Sequence, residues 1–211
     1  MEKCEDKMQV TLKAEHPLSE VKAATGKTWD EWFSILDKRG GIAKGRRDIG
    51  NFLYAECKLD VWWCATINVE YEAARGAVEK DGRPKGYMIC VTKTIAAPVD
   101  KAYAAWATAE GLNDWFSKKN KAEVADGGSY SNADGDAGVF KRVRKNKDLR
   151  FTWENPAHTS PTLVDVVFQD KGKGKTGVMI THDRIQNREE ADGLREGWGK
   201  ALDRLKSLLE A

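Results

Sequence analysis

The last 23 residues, Glu189–Ala211, read EEADGLREGWGKALDRLKSLLEA. Leucine, tryptophan and alanine side chains recur in this stretch at steps of three and four residues, which is the spacing of one face of an α-helix. The stretch therefore predicts an amphipathic helix of roughly six turns, with an apolar stripe and a charged back. A stripe of that length must lie against another apolar surface.

Short segments that alternate apolar and polar side chains precede this helix, and Gly, Asp, Asn and Pro residues separate them. Alternation with a period of two is typical of strands with one buried face, and the separating residues favour tight turns. The expected strands are 87–95, 121–126, 129–133, 137–145, 149–155, 162–170 and 176–184. Two short helices, beginning near Pro98 and Glu110, follow the first strand. We therefore expect an α+β fold in which a curved, antiparallel, seven-stranded sheet wraps around the long C-terminal helix.

The residues before this sheet have a helical period. Four helices are expected, beginning near Ser19, Thr28, Arg46 and Asp60, and the last of them is expected to run to about Glu79. Thr28 and Glu31 have the spacing of a capping box, in which each side chain bonds the backbone of the other residue. The domain prediction is an all-α four-helix module over residues 1–79, with its first ~15 residues loosely ordered. A linker follows over 80–86, and the sheet domain occupies 87–211.

Composition excludes little by itself. The chain has 35 Lys and Arg against 33 Asp and Glu, a formal net charge of +2, and a sequence pI of about 8.2. This charge does not require a nucleic-acid partner. Lys44, Arg46 and Arg47 form a basic cluster, but the helix that follows carries mainly apolar residues and not the polar side chains with which a recognition helix reads DNA bases. No apolar run reaches the roughly 20 residues of a membrane span, and the N-terminus does not resemble a signal peptide. We expect a cytoplasmic protein.

The cysteines and histidines show no metal-binding pattern. The four cysteines form no CxxC pair and have no histidine neighbour at zinc-ligand spacing. We therefore expect reduced thiols, no metal and no cofactor. No sequence motif of a nucleophilic or metal-dependent enzyme occurs, so catalysis is the less favoured interpretation.

Strand parity predicts which side chains face the C-terminal helix. In 176–182, for example, Val178, Ile180 and His182 share one face. The expected pocket residues are Trp115, Phe116, Tyr130, Phe140, Arg142, Phe151, Trp153, Val166, Phe168, Ile180, His182, Trp198 and Leu202. The apolar and aromatic ones would also suit an ordinary core, which is the commoner use of such side chains. The parity of 137–145 is ambiguous, and a solvated sheet face is the favoured alternative for Arg142. His182 is the one weak catalytic candidate, and the alternative for it is a hydrogen-bonded histidine at the end of a strand.

The order of these elements resembles the START-like helix-grip superfamily, which includes the Bet v 1 and polyketide-cyclase groups. Within it, the chain is similar to bacterial relatives of the C-terminal domain of the Hsp90 ATPase activator. The residues that carry this similarity are Thr94–Pro98, Ala105-Trp106, Trp115-Phe116, Leu149–Trp153, Thr181-His182 and Gly197-Trp198. The helical half resembles a small domain of undefined role, through Thr25–Phe33, Trp62-Trp63 and Tyr71–Gly76.

The resemblance implies a pocket between the sheet and the last helix. We therefore expect a small hydrophobic or aromatic molecule to bind there without being transformed. One alternative is a protein-interaction module of the co-chaperone kind, acting through its outer surface. Hsp90 itself is not implied, since the resemblance omits the activator's other domain. The other alternative is a cyclase, dehydratase or hydrolase, with His182 as base and Arg142 or Tyr130 polarising a carbonyl.

Overall fold

The computed structural model describes residues 18–79, 82, 84–158 and 161–211. Within them the chain forms two compact units, and the division in the sequence falls between Tyr87 and Met88. The N-terminal segment predicted to be loosely ordered lies outside the described residues. The boundaries predicted at 79 and 87, with the linker between them, stay a prediction.

The described residues of the first unit hold four α-helices. Their bounds are α1 Val21–Thr25, α2 Trp29–Lys38, α3 Gly45–Asn51 and α4 Val61–Ala74, and a π-helical turn, Phe52–Glu56, continues α3. The capping box predicted at the start of α2 is present: Glu31 N donates to Thr28 Oγ1 over 3.3 Å, and Thr28 N donates to Glu31 Oε2 over 2.7 Å. The helices pack around one apolar core, which includes Trp32, Leu36, Leu53, Trp63 and Ile67.

Helix α4 is shorter than predicted. It ends at Ala74 instead of running to Glu79, because Gly76 adopts a left-handed conformation with φ of 63°. The N–H of Gly76 donates to Ala73 O, and Ala77 N donates to Glu72 O. The last carbonyls of the helix therefore accept hydrogen bonds from the turn that ends it. Gly76 was available in the sequence as a stop signal.

The second unit contains the sheet and its helices. The bounds are β1 Tyr87–Ile95, α5 Val99–Ala104, α6 Ala109–Trp115, β2 Lys121–Ala122, β3 Ser129–Ser131, β4 Ala137–Arg144, β5 Asp148–Trp153, β6 Thr162–Gly172, β7 Lys175–Ile185 and α7 Arg188–Glu210. The sheet has seven strands in the order β1-β7-β6-β5-β4-β3-β2. The predicted α+β helix-grip fold is confirmed. Strand β2 is shorter than expected, because a turn that bonds Ala125 N to Glu123 O interrupts it.

Register places the apolar side chains of adjacent strands opposite one another. Phe151 faces Val164, and Val164 faces His182. Helix α7 begins after Asn187, whose side chain accepts a hydrogen bond from Glu190 N. The buried stripe of α7 includes Leu194, Trp198, Ala201, Leu202 and Leu205. Among the described helices, none combines the length and the apolar character that crossing a membrane requires.

Gly138 allows β4 to lie close to its neighbours. A Cβ atom at this position would lie 1.9 Å from Thr152 O and 2.6 Å from Tyr130 Cε1. Because a backbone carbonyl cannot move without disturbing the sheet, we expect Gly138→Ala to lower the free energy of unfolding by about 2 kcal/mol or more. Gly199→Ala is the control: α7 has open space there, and we expect it to stabilise by roughly 0.5 to 1 kcal/mol. Urea denaturation of both variants measures the difference, and equal effects would contradict this account of β4.

Candidate functional site

The space between the sheet and α7 is occupied by aromatic rings. Trp198, fully buried, lies at their centre. It stacks on Phe116 with ring centroids 5.5 Å apart and on Trp106 at 6.2 Å, and it meets Trp153 edge-on at 5.1 Å. Such distances are those of rings in contact. Among the described residues, aromatic side chains therefore occupy much of the space where the sequence predicted a cavity.

Most of the predicted pocket residues do share this interior. Twelve of the thirteen are buried: Trp115, Phe116, Tyr130, Phe140, Phe151, Trp153, Val166, Phe168, Ile180, His182, Trp198 and Leu202. Strand parity and helical spacing thus identified most of the side chains on the inner face. Their assignment to a ligand pocket stays a prediction, since the interior they form is an ordinary packed core around Trp198.

His182 is held by two side chains. Trp198 Nε1 donates to His182 Nδ1 over 3.0 Å, and Thr162 Oγ1 lies 2.6 Å from His182 Nε2. An indole nitrogen only donates, so Nδ1 must be the unprotonated acceptor and Nε2 carries the proton. Nε2 then donates to Thr162 Oγ1, which in turn donates to Trp153 O. The imidazole links α7 to β6 and β7 through a complete set of hydrogen bonds.

This environment keeps His182 neutral. Burial lowers the pKa of His182 to about 3, with a further contribution from the charge of His158. The lone pair of Nδ1, which a general base needs, is already occupied by the indole N–H. Tyr130, the proposed second polar group, donates to Thr152 O over 3.2 Å, and burial raises its pKa well above the ordinary value. In this geometry neither ring nitrogen of His182 is free to act as a base, and a catalytic role for this residue stays a prediction.

Arg142 lies on the opposite face of the sheet, and its predicted place in the pocket is wrong. A β-bulge between Phe140 and Arg142 breaks the alternation, so that Phe140 points inward and Arg142 outward. The Arg142 guanidinium is 2.7 Å from Asp148 Oδ1 and 3.2 Å from Asp165 Oδ1. Arg144 also pairs with Asp148, and these arginines lower the pKa of that carboxyl. Arg142 is therefore part of an ion-pair network.

A small void remains at the side of the interior. It measures about 20 Å³, which is room for one water molecule. Its lining is apolar or aromatic: Trp106, Leu112, Phe116, Tyr130, Phe140, Leu149 and Phe151. The Trp106 indole N–H has no hydrogen-bond partner among the described residues. The void lies near α6 and strands β3 to β5, not against the C-terminal helix.

Sequence reasoning did not assign Trp106, Leu112 or Leu149 to a site. Trp106 and Leu149 stood in the motifs that carry the family resemblance, but neither had a predicted orientation. Trp106 follows the end of α5, where helical periodicity no longer indicates a direction. The one indication in the sequence was the tryptophan itself, because a buried indole N–H usually needs a hydrogen-bond acceptor.

An open groove lies at the far end of β4 and β5. It encloses about 470 Å³ and is lined by Gly135, Ala137, Glu154, Asn155, Pro156, His158 and Pro161. Beside it, the buried Asp136 accepts hydrogen bonds from Asn132 Nδ2 at 3.0 Å and Asn155 Nδ2 at 2.7 Å, and burial raises its pKa. These bonds fix the turn between β3 and β4. Among the residues that the structure describes, no group of His, Cys, Asp or Glu side chains has the arrangement of a metal site.

Comparison with known proteins gives a family match over the sheet unit. The family described as Activator of Hsp90 ATPase homolog 1-like protein matches residues 96–210. The match does not include the helical unit, and the resemblance of that unit to a domain of undefined role stays a prediction. A search of curated proteins finds no match to the chain.

Several solved structures share the fold. CalU16 from Micromonospora echinospora is 21% identical and has a TM-score of 0.53, over 58% of this chain and 75% of that one. An HSP90 activator from Plasmodium falciparum is 18% identical with a TM-score of 0.52, over 59% and 97%. The Aha1 dimer from Colwellia psychrerythraea is 21% identical with a TM-score of 0.52, over 59% and 96%. At these identities the likeness is one of fold.

Proposed function

The chain belongs to the family of Activator of Hsp90 ATPase homolog 1-like proteins, and on that premise we propose that it is a protein-binding module that acts through its outer surface. The partner is a protein of the chaperone class or one of its clients. The name of the family and those of two similar structures, an HSP90 activator and Aha1, support this class of partner. A cytoplasmic location is part of the proposal.

The observation that carries this proposal is the packed interior. A carrier of small molecules needs a cavity of several hundred cubic ångströms, and the void here measures about 20 Å³. Trp198, Phe116 and Trp153 occupy the space between the sheet and α7. Because opening that space would separate stacked rings, we favour recognition on the surface over binding in the interior.

The state of His182 supports the same choice over an enzyme. A base must offer a free lone pair to its substrate, and both ring nitrogens of His182 already have protein partners. Arg142, the proposed electrophilic group, pairs with carboxylates on the other face of the sheet. Neither His182 nor Arg142 is therefore placed for an acid–base reaction in the interior.

Native mass spectrometry and chemical crosslinking in the host test the proposal. We expect the protein to leave its host without a stoichiometric small molecule, and to crosslink to one protein partner. That partner, once purified, should bind the full chain in solution, and an Hsp90 of the same host is the first to examine for altered ATP hydrolysis. A small molecule retained at one per chain, together with no reproducible protein partner, would contradict the proposal.

The second candidate function is the binding of a small apolar molecule in the void beside α6. The unpartnered indole N–H of Trp106 favours it, because a buried donor without an acceptor is unfavourable by about 1 to 3 kcal/mol. The molecule would carry one hydrogen-bond acceptor and would have to displace α6 or its neighbours. A thermal shift with apolar ketones or esters that disappears in Trp106→Phe, and not in Leu208→Ala, would favour this function.

A further inference from the structure

Two hairpins of the sheet unit concentrate positive charge. Residues 141–148 and 170–175 contain eight Lys and Arg against two Asp, whereas the whole chain has a formal net charge of +2. We call these two stretches the basic hairpin surface. The rest of the chain is consequently net acidic, so the positive charge is localised. A localised charge of this size produces a field that steers oppositely charged partners.

The two stretches belong to one surface. Strands β4 and β5 form one hairpin, and β6 and β7 form the next. Phe168 N donates to Lys147 O over 2.8 Å, and Asp148 faces Val167 across the two strands. Backbone hydrogen bonds therefore fix the position of one hairpin relative to the other. The arrangement of their lysines is set by the sheet and not by flexible tails.

Several of these cations are available to a partner. Arg142 and Arg144 already pair with Asp148, and Lys175 lies near Glu210. Lys141, Lys145, Lys147 and Lys173 are exposed, and no carboxylate among the described residues lies within ion-pair distance of them. An acidic partner would therefore meet lysines that have no competing ion pair to break.

We propose that the basic hairpin surface binds an acidic, extended segment of a protein partner. This inference rests on the proposed function and specifies the chemistry of the partner. Phe168 is hydrogen-bonded to Lys147, so it marks the position of the first hairpin on the second. Lys173 lies five residues beyond Phe168, a distance of about 17 Å at the rise of a strand. The span from Lys147 to Lys173 fits about five residues of extended chain rich in Asp or Glu.

The same surface is poorly suited to nucleic acid or membrane. Single-stranded nucleic acid stacks on exposed aromatic rings, and Tyr54, in the helical unit, is the one large aromatic residue that is well exposed among the described residues. A membrane-binding surface needs apolar side chains that enter the bilayer. The exposed apolar residues of the sheet unit, Met88, Met179 and Leu208, lie outside the basic hairpin surface.

Fluorescence polarisation of the full chain with an acidic peptide tests the inference. The probe is a fluorescein-labelled peptide of about twelve alternating Glu and Ser residues, and its neutral twin has Gln in place of Glu. We expect the acidic peptide alone to bind, and its binding to weaken as salt rises from about 0.05 M to about 0.3 M. The triple variant Lys145→Glu, Lys147→Glu and Lys173→Glu should bind at least ~10-fold more weakly.

The matched control reverses Lys118, Lys119 and Lys121, which are exposed at the opposite end of the sheet. Each triple variant changes the net charge equally, and each includes one lysine with positive φ, Lys173 or Lys119. The control should bind the acidic peptide as the parent chain does. Circular dichroism melts confirm that both variants are folded. Equal weakening in both would show a net-charge effect and overturn the inference.

Other results of the binding experiments also decide whether the basic hairpin surface binds an acidic segment. Absence of acidic-peptide binding, or tighter binding of a single-stranded oligonucleotide or of vesicles containing phosphatidylserine, would overturn the inference. The partner found by crosslinking separates this inference from the proposed function. If that partner binds the hairpin variant as tightly as the parent chain, the surface is wrong and the function stands. If no protein partner exists, the function itself fails.

Discussion

Replacement of Trp198 by alanine is expected to lower the free energy of unfolding of the sheet unit by about 3 to 5 kcal/mol. The side chain is fully buried and touches the rings of Phe116, Trp106 and Trp153. Alanine would leave a large cavity among rigid rings that cannot collapse into it. It would also remove the N–H that His182 Nδ1 accepts, leaving a buried acceptor unpaired.

Two further variants separate these contributions. Trp198→Phe keeps most of the ring contacts but lacks the N–H, so we expect an intermediate loss of stability. Leu208→Ala, on an exposed part of the same helix, should change stability by about 0.5 kcal/mol or less. Equilibrium urea denaturation, with hydrogen exchange of the β5 to β7 amides to localise the effect, measures all three. A loss for Trp198→Ala no larger than that for Leu208→Ala would contradict the packed interior.

The second large effect is a loss of stability in acid that depends on His182. Its pKa is lowered from 6.5 to about 3 in the folded state, while the unfolded chain binds a proton at the ordinary value. Below pH 6.5 the unfolded state therefore binds more protons than the folded state, and stability falls as the pH falls. The contribution is complete above pH 6.5 and decreases by about 1.4 kcal/mol per pH unit down to about pH 3. At pH 4.5 the expected loss is about 3 kcal/mol.

His182→Gln isolates this effect. Glutamine supplies one acceptor and one donor without titrating. The free energy of unfolding of the variant should therefore depend less on pH than that of the parent chain. Because both proteins keep the same Asp and Glu residues, including Asp148 and Asp165, the contributions of those groups cancel in the difference. His158→Gln is the control and should keep most of the parent pH dependence, because burial is the larger cause of the lowered His182 pKa. Parallel stability curves for the parent chain and His182→Gln between pH 4 and pH 7 would show that this prediction is wrong.

The sequence predicted the elements of the sheet unit well because their signals are local. The three- and four-residue spacing of Leu194, Trp198 and Leu202 is a property of one helix and needs no knowledge of its neighbours. The alternation of Val178, Ile180 and His182 is likewise a property of one strand. Such patterns fixed the order of elements and the identity of the inner face. Errors occurred at turns, where a single left-handed residue such as Gly76 changes the path.

Tertiary structure decided everything that depends on distances between elements. The bulge after Phe140 arises from the pairing of β4 with β5, and it turned Arg142 away from the interior. The tautomer of His182 follows from a tryptophan 16 positions along the chain on another element. Whether twelve buried side chains enclose a cavity or fill it depends on how their volumes interdigitate, since close packing is a collective property. The sequence alone therefore predicted most of the residues that face inward, and only their packing in three dimensions decides how closely they fill the interior.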